Sequence, residues 1–435
     1  MRKQVKTAGR RRIVSWGAAL VLLASAVIGL SACRQLAPAA SEKKSVTILG
    51  QFSPEETARF EESLLPFEKE TGIDVVYESA DNFTSLLTLR ISAFNAPDLA
   101  VLPQPGLMAD LARADLLVPL TDDVIDTQAL RASYSDDWLA LGSVDDVLYG
   151  LWYRVSVKSL VWYRPTAFEQ KGYDIPQTWA ELVALSNEIV ADGGTPWCIG
   201  LESGSASGWP GTDWIEDLLL RNAGPETYSQ WISHELPFNS PPVIGAFNEF
   251  GKVLRNPKYV EGGPAKTVST PYGESATGLF GNPPDCYLHR QANFVASYFP
   301  EDKRPRVDYD VFPLPGIKPE FGTPILVAGD AIALLNKTPE AIALINYLAT
   351  PEPHEIWANL GGFISPHQQV PTSAYSDLVD QNIAQILLDA ETIRFDASDM
   401  MPGAVGTGSF WTGIIDFAKG QPAEAVTKRI DESWP

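Results

Sequence analysis

The amino-acid sequence predicts an α/β protein built as two lobes, and three observations carry that reading. Between residues 45 and 102, strand-like and helix-like segments alternate with short loops, the pattern of a parallel sheet with right-handed crossovers. The chain of 435 residues is too long for one core, on a prior of roughly 100–200 residues per domain. Between this α/β pattern and a longer Trp-rich block lies the stretch 149–164, YGLWYRVSVKSLVWYR. Its β-branched and aromatic residues read as one or two extended segments. Arg154 and Lys158 among them suit chain that crosses between two lobes better than a plain core strand.

Each element has its own justification. Residues 45–49 form a short strand. Ser53 then caps a helix with Pro54 at its first position and Glu55 and Glu56 in its first turn. Phe60, Leu64 and Phe67 share one face of that helix, which stops near Gly72. A second strand covers 73–77, a second helix runs from Asp81 to about Phe94, and a third strand covers 99–102. Ligands of such sheets sit beyond the carboxyl ends of the strands, here 50–52, 78–79 and 103–106. After the crossing, helices are expected at 165–172 and 178–192, then a buried strand at 196–201 leading into the loop 202–210. A helix begins at Asp213, strands follow at 286–291, 308–314 and 326–335, and 339–348 is helical. A Gly-rich loop leads to Ser409-Phe410-Trp411 and a helical tail.

The amino terminus carries an address. Six basic residues precede the apolar run 13–30, and Leu30-Ser31-Ala32-Cys33 follows, the layout of a secretory signal. An apolar run of that length also approaches a permanent membrane span. The Leu-Ser-Ala-Cys ending resembles a bacterial lipobox, so residues 1–32 are expected to be removed, Cys33 lipidated, and 33–45 left as a tether. Removal takes the net charge from −21 to −27, since 1–32 holds no acidic residue. Such a surface repels nucleic acid and anionic lipid and favours neutral or cationic ligands. The remaining cysteines, Cys198 and Cys286, are an even pair in an oxidising compartment, where a disulfide is the default. The four histidines are scattered, so no metal and no cofactor are expected. Twelve Trp and fourteen Tyr supply flat apolar faces with polar edges, suited to stacking on sugar rings.

The segments PFEKETGIDV, APDLAVLPQPG and YGLWYRVSVKSLVWYRPTAFEQKGYDIPQTWAEL resemble extracellular carbohydrate-binding proteins of ABC importers, the maltose-binding-protein-like family. The likeness continues through PLPG, AGDAIALL, GGFISPH and PGAVGTGSFW, over about 46–435. TPWCIGLESGSASGWPGTDWIEDLLLR, CYLHRQ and MPGAVGTGSFW look most like the α-glucoside and glucosylglycerol-binding branch. The resemblance implies a periplasmic-binding-protein clamshell, with lobe one at 46–150 plus 311–350 and lobe two at 151–310 plus 351–435. It implies a monomer that binds a small neutral sugar, sits at the periplasmic or outer face of the cytoplasmic membrane by its lipid, and delivers to a permease there. It places Trp411 as a ring platform, with Ser409 beside it, and Glu202 and Trp209 facing the ligand.

Sugar hydroxyls both donate and accept, so a pocket also needs carboxylates, amides and Arg forks. Arg154, Tyr153 and Arg290 fit that need, faced by Gln104, Phe52, Asp330 and Glu78. Lys158 reads as structural, and Asp399 as a buttress of the Gly-rich loop. A secreted glycoside hydrolase is the competing reading, but acids are abundant and no nucleophile elbow or HExxH occurs. A solute-binding protein for a polyamine or peptide is the other, favoured by the acidity and opposed by the Trp-rich loops. No catalytic residue is expected.

Overall fold

A computed structural model describes residues 44–80 and 82–435. The signal, Cys33 and nearly all of the tether lie outside the described residues. Among the described residues no helix is long and apolar enough to cross a membrane.

The first lobe's expected elements form where the local chemistry puts them. Strand β1 (Ser45–Gly50) feeds helix α1 (Pro54–Thr71). The Ser53 hydroxyl accepts from the Glu56 amide while the Glu56 carboxylate accepts from the Ser53 amide, a reciprocal capping box. Gly72 ends the helix at φ 68°, a left-handed conformation that costs glycine nothing. Strand β2 (Asp74–Ser79), helix α2 (Phe83–Ser92), strand β3 (Leu99–Leu102) and helix α3 (Pro105–Arg113) follow. Strands β2, β1 and β3 pair in parallel, as the alternating pattern implied.

The stretch 149–164 is two strands in two different sheets. Gly150–Val157 runs antiparallel to Ile325–Leu334, which also pairs with β3 and so joins the first sheet. Leu160–Tyr163 belongs to a four-stranded sheet with Asp310–Pro313, Leu288–Arg290 and Trp197–Cys198. Lys158 and Ser159 lie at the switch. Side-chain alternation does the rest: Val161 enters the second of two apolar clusters, while its neighbours Leu160 and Trp162 enter the first. Leu326 and its neighbours Ile325 and Val327 divide the same way.

The second sheet is shorter than expected. Only Trp197–Cys198 of 196–201 and Leu288–Arg290 of 286–291 are strand. The disulfide joins Cys198 to Cys286 across 88 residues of sequence, tying these two strand regions. A loop of that length corresponds to about 4–5 kcal/mol in the chain-entropy account. The helices Pro351–Leu360 and Leu378–Leu388 bury Trp357 and Ile383 in the first cluster, beside α1 residues Phe60 and Leu64. The second cluster regains the chain at Ala397.

Candidate functional site

The carboxyl ends of β1, β2 and β3 feed the amino ends of α1, α2 and α3, and this rim forms one wall. Glu56, in the first turn of α1, accepts from Arg154 of the crossing strand. The Arg154 Nε donates to Asp330 Oδ2 at 2.7 Å, and its guanidinium lies 4.6 Å from the Phe52 ring centroid. Burial would raise the Glu56 pKa, but Arg154 and the Ser53 bonds bring it below the ordinary value. At Asp330 burial wins over Arg154, and the pKa is raised. The wall therefore holds one fixed carboxylate and one carboxyl that ionises reluctantly.

The opposite wall starts at Gly208, whose φ of 112° turns the chain into the helix Trp209–Ile232. A Cβ at Gly208 would lie 2.1 Å from the Trp411 carbonyl oxygen, so only glycine lets the two Trp-bearing segments meet. Asp213, Glu216, Asp217 and Arg221 recur at helical spacing along that helix and are all buried. Lys158 Nζ donates to Asp213 Oδ1 at 2.9 Å and to Asp396, and lies 5.2 Å from the Trp209 ring centroid. Burial would lower the Lys158 pKa, but Asp213 and Asp396 raise it, so the ammonium stays charged. Burial lifts Asp213 to about 6 despite Lys158 and Arg290. Asp396 goes the other way, its burial outweighed by Lys158 and Ser398.

Trp209 opens an aromatic basin. Its ring meets Tyr272 edge-on at 5.0 Å and Phe294 at 5.9 Å, and the Tyr272 and Tyr298 hydroxyls are 2.6 Å apart. Tyr298 is 46% exposed, and Trp209, Tyr272 and Phe294 are each half-buried, so the basin is open to solvent. Glu202 builds it through its backbone: its amide donates to Thr270 and its carbonyl accepts from Tyr272. The Tyr272 hydroxyl is pushed up by burial, by Tyr298 and by the Glu56 carboxylate of the other wall, so the two walls feel each other. A cavity of about 780 Å³ lies between α3 and residues 393–403, lined by Thr84, Gln104, Arg394, Ser398, Asp399 and Met400 among others. Neither the Gln104 amide nor the Asp399 carboxyl makes a hydrogen bond among the described residues. Burial and the neighbouring Asp396 raise the Asp399 pKa well above its ordinary value, favouring a neutral carboxyl that can donate.

Carboxylate oxygens of Asp213, Glu216 and Asp396 lie within 4.8 Å of one another, close enough to share a cation. That need is already met: Lys158 bonds two of them, and the Ala397 and Ser398 amides donate to Glu216. The residues present fit an internal ammonium, not a metal.

Of the residues expected in the site, Trp209, Trp411, Glu202, Arg154, Asp330 and Gln104 fall on these walls. The side chains of five others are held elsewhere. Tyr153 is fully buried against Phe60, His354 and Phe363. Phe52 is 1% exposed, packed on Phe60, Tyr77 and Trp357. The Arg290 side chain has no exposure and is bonded to Asp213 and Asp217. Ser409 shares a hydrogen bond of 2.6 Å with Ser433, and Glu78 pairs with Arg90 at 2.6 Å. Lys158 is structural, as expected, tied to Asp213 and Asp396, while sequence reasoning did not single out Glu56, Tyr272, Phe294 or Tyr298 for these walls, nor Asp399 beyond its place at the Gly-rich loop. The charged helical stripe from Asp213 to Arg221 was a signal that a cation must cross to it from another element.

Two α/β walls joined by crossing strands, with aromatic faces and fixed charges between them, define a binding protein that encloses a small solute. Residues 50–355 match the family of bacterial extracellular solute-binding proteins, and the chain belongs to that family. Its relatives include the osmoprotective compounds-binding protein GgtB of Synechocystis sp., 50% identical over 91% of this chain and 93% of that protein. The alpha-glucosides-binding periplasmic protein AglE of Rhizobium meliloti is 42% identical over 90% of this chain and 87% of that protein. Among solved structures, the solute receptor AcbH superposes with a TM-score of 0.77 at 20% identity, over 90% of this chain and 97% of that one. RafE of Streptococcus pneumoniae superposes at 0.72 and 18%, over 91% and 98%. These likenesses define the fold.

Proposed function

We propose that this protein is the substrate-binding component of an ABC sugar importer. It takes an α-glucoside of the glucosylglycerol, sucrose, trehalose or maltose type between two lobes and hands it intact to a permease in the cytoplasmic membrane. The names of the two relatives, one for osmoprotective compounds and one for α-glucosides, support the substrate class. The observation that carries the reading onto this chain is the half-open basin of Trp209, Tyr272, Phe294 and Tyr298 beside fixed charges. Aromatic faces take the apolar faces of a sugar ring while carboxylates, amides and guanidinium take its hydroxyls. The proposed ligand set is Trp209, Trp411, Glu202, Arg154, Asp330 and Gln104, with Glu56, Tyr272 and Asp399 added.

Lobe one is taken as 46–157 with 325–395 and lobe two as 158–324 with 396–435. This moves 151–157, 311–324 and 351–395 from their expected lobes, because Gly150–Val157 pairs in the first sheet, Asp310–Pro313 pairs in the second, and Trp357 and Ile383 are buried with α1. Contacts made only in the closed arrangement drive closure. Cys33, freed by removal of 1–32, carries the lipid that keeps this monomer at the membrane, in a periplasm or on a cell surface. No bond of the sugar is broken.

Calorimetric titration of the chain from Ser45 onward tests this, with the four glucosides and with spermidine and a tripeptide as controls. Micromolar or tighter binding of one glucoside, recovered intact, supports the reading. Heat from spermidine or the peptide alone overturns it, and released glucose would make the protein a hydrolase.

A further inference from the structure

The end of the first sheet opposite the site carries an apolar knob. Phe94 is 100% exposed and adopts φ +55°, the left-handed region that a bulky side chain rarely occupies. Leu89, one helical turn earlier, is 65% exposed. The loop that holds Phe94 is pinned, not frayed. The Asn95 amide donates to Arg90, and Asn336 Nδ2 donates to the Ala96 and Pro97 carbonyls. Asp98 accepts from the amide and hydroxyl of Thr47 at 2.9 and 2.8 Å. A fixed loop thus holds a phenyl ring wholly in water, where it gains nothing from packing.

We propose that Phe94 and Leu89 form a foot that rests in the lipid–water boundary of the membrane to which the chain is anchored; this rests on the reading of Cys33 as lipidated. Thr47 lies in β1, and the amino end of β1 runs back through eleven residues to Cys33. Those residues span at most about 40 Å fully extended, which keeps this end of the sheet within reach of the bilayer. The net charge of −27 left once 1–32 are removed gives the chain no general attraction to anionic lipid, so an apolar contact is what remains. The consequence is orientation. The opposite, carboxyl end of β1 leads to the site about 20 Å away, so a chain standing on this foot points its cleft into the surrounding compartment, ready to capture solute.

The full chain, processed and lipidated, is placed in vesicles of zwitterionic phospholipid with benzoyl-phenylalanine substituted for Phe94, or for Leu388, which is equally exposed to Leu89 at 65%. After irradiation, lipid adducts at position 94 should exceed those at 388 by about tenfold, in keeping with shallow insertion of an apolar side chain. Equal adducts at both positions, with the chain floating on vesicles and Cys33→Ser chain left in solution, overturn the foot and leave the anchor standing. A wild-type chain that does not float overturns the anchor, and the foot with it.

Discussion

Two aromatic clusters of similar composition differ in what surrounds them, and they do different things. One gathers Phe52, Phe60, Tyr153, Trp357 and Phe363, all at most 1% exposed, with ring centroids as close as 4.8 Å. The other gathers Trp209, Tyr272, Phe294 and Tyr298, open to solvent and set over an ammonium. Aromatic content does not separate a sugar platform from a core. The difference lies in which ring faces remain free and whether charged groups are held beside them.

The largest expected effect breaks the charged support of the open cluster. Lys158→Ala leaves Asp396 buried without its cation and Asp213 with Arg290 alone, a loss of about 3–5 kcal/mol for a broken buried pair. Urea unfolding should show it as a fall in midpoint. An unchanged midpoint would mean that water replaces the ammonium and that the network is not structural.

Exchanging one Trp in each cluster sharpens the contrast. Trp357→Ala should cost about 3–5 kcal/mol of stability, the usual range for a fully buried Trp, with affinity per folded molecule nearly unchanged. Trp209→Ala should do the reverse: affinity falls more than about tenfold, roughly 1.4 kcal/mol, while the unfolding midpoint moves little. If both variants lose the same property, the two clusters are one, and the open basin is not the platform.

Much of this was legible beforehand, for physical reasons that can be named. The capping box at Ser53 and Glu56, the glycine stop at Gly72 and the parallel order of β1 to β3 depend on residues near one another in sequence. That 149–164 is a crossing was visible because polar residues interrupt a strand pattern, but the point of the switch at Lys158 was not. The strands of the second sheet were expected in the right places but too long, since their two- to four-residue lengths are set by distant partners rather than by their own periodicity. In the site, residue type was legible and direction was not. Tyr153 and Arg154 are adjacent on one strand, and alternation buries the first in the dry cluster while sending the second to Glu56 and Asp330. Tyr272 reaches Trp209 only because Glu202 bonds its backbone across seventy residues of chain.

The smallest expected effect is a pH dependence seated on the dry side. Asp380 accepts from the Gly362 amide at 2.9 Å, and burial, with Asp377 beside it, lifts its pKa to about 7 from 3.8. Its folded pKa lies above its unfolded value, so between these limits the native chain binds a proton that the unfolded chain has lost. Stability therefore falls as pH rises from about 4 to 7, by at most about 1.4 kcal/mol per pH unit, and levels off above. Asp380→Asn keeps an oxygen acceptor for Gly362 and removes the titration. Its unfolding midpoint should vary less over that window and exceed the wild type at pH 8. On the same side of the molecule Glu56 has the opposite sign: Arg154 and the Ser53 bonds lower its pKa, so its contribution is present above the unfolded value and lost only as pH falls through the folded one. A wild-type profile flat between pH 4 and 7, unchanged by Asp380→Asn, would show that the carboxyl is solvated and that the dry cluster ends short of it.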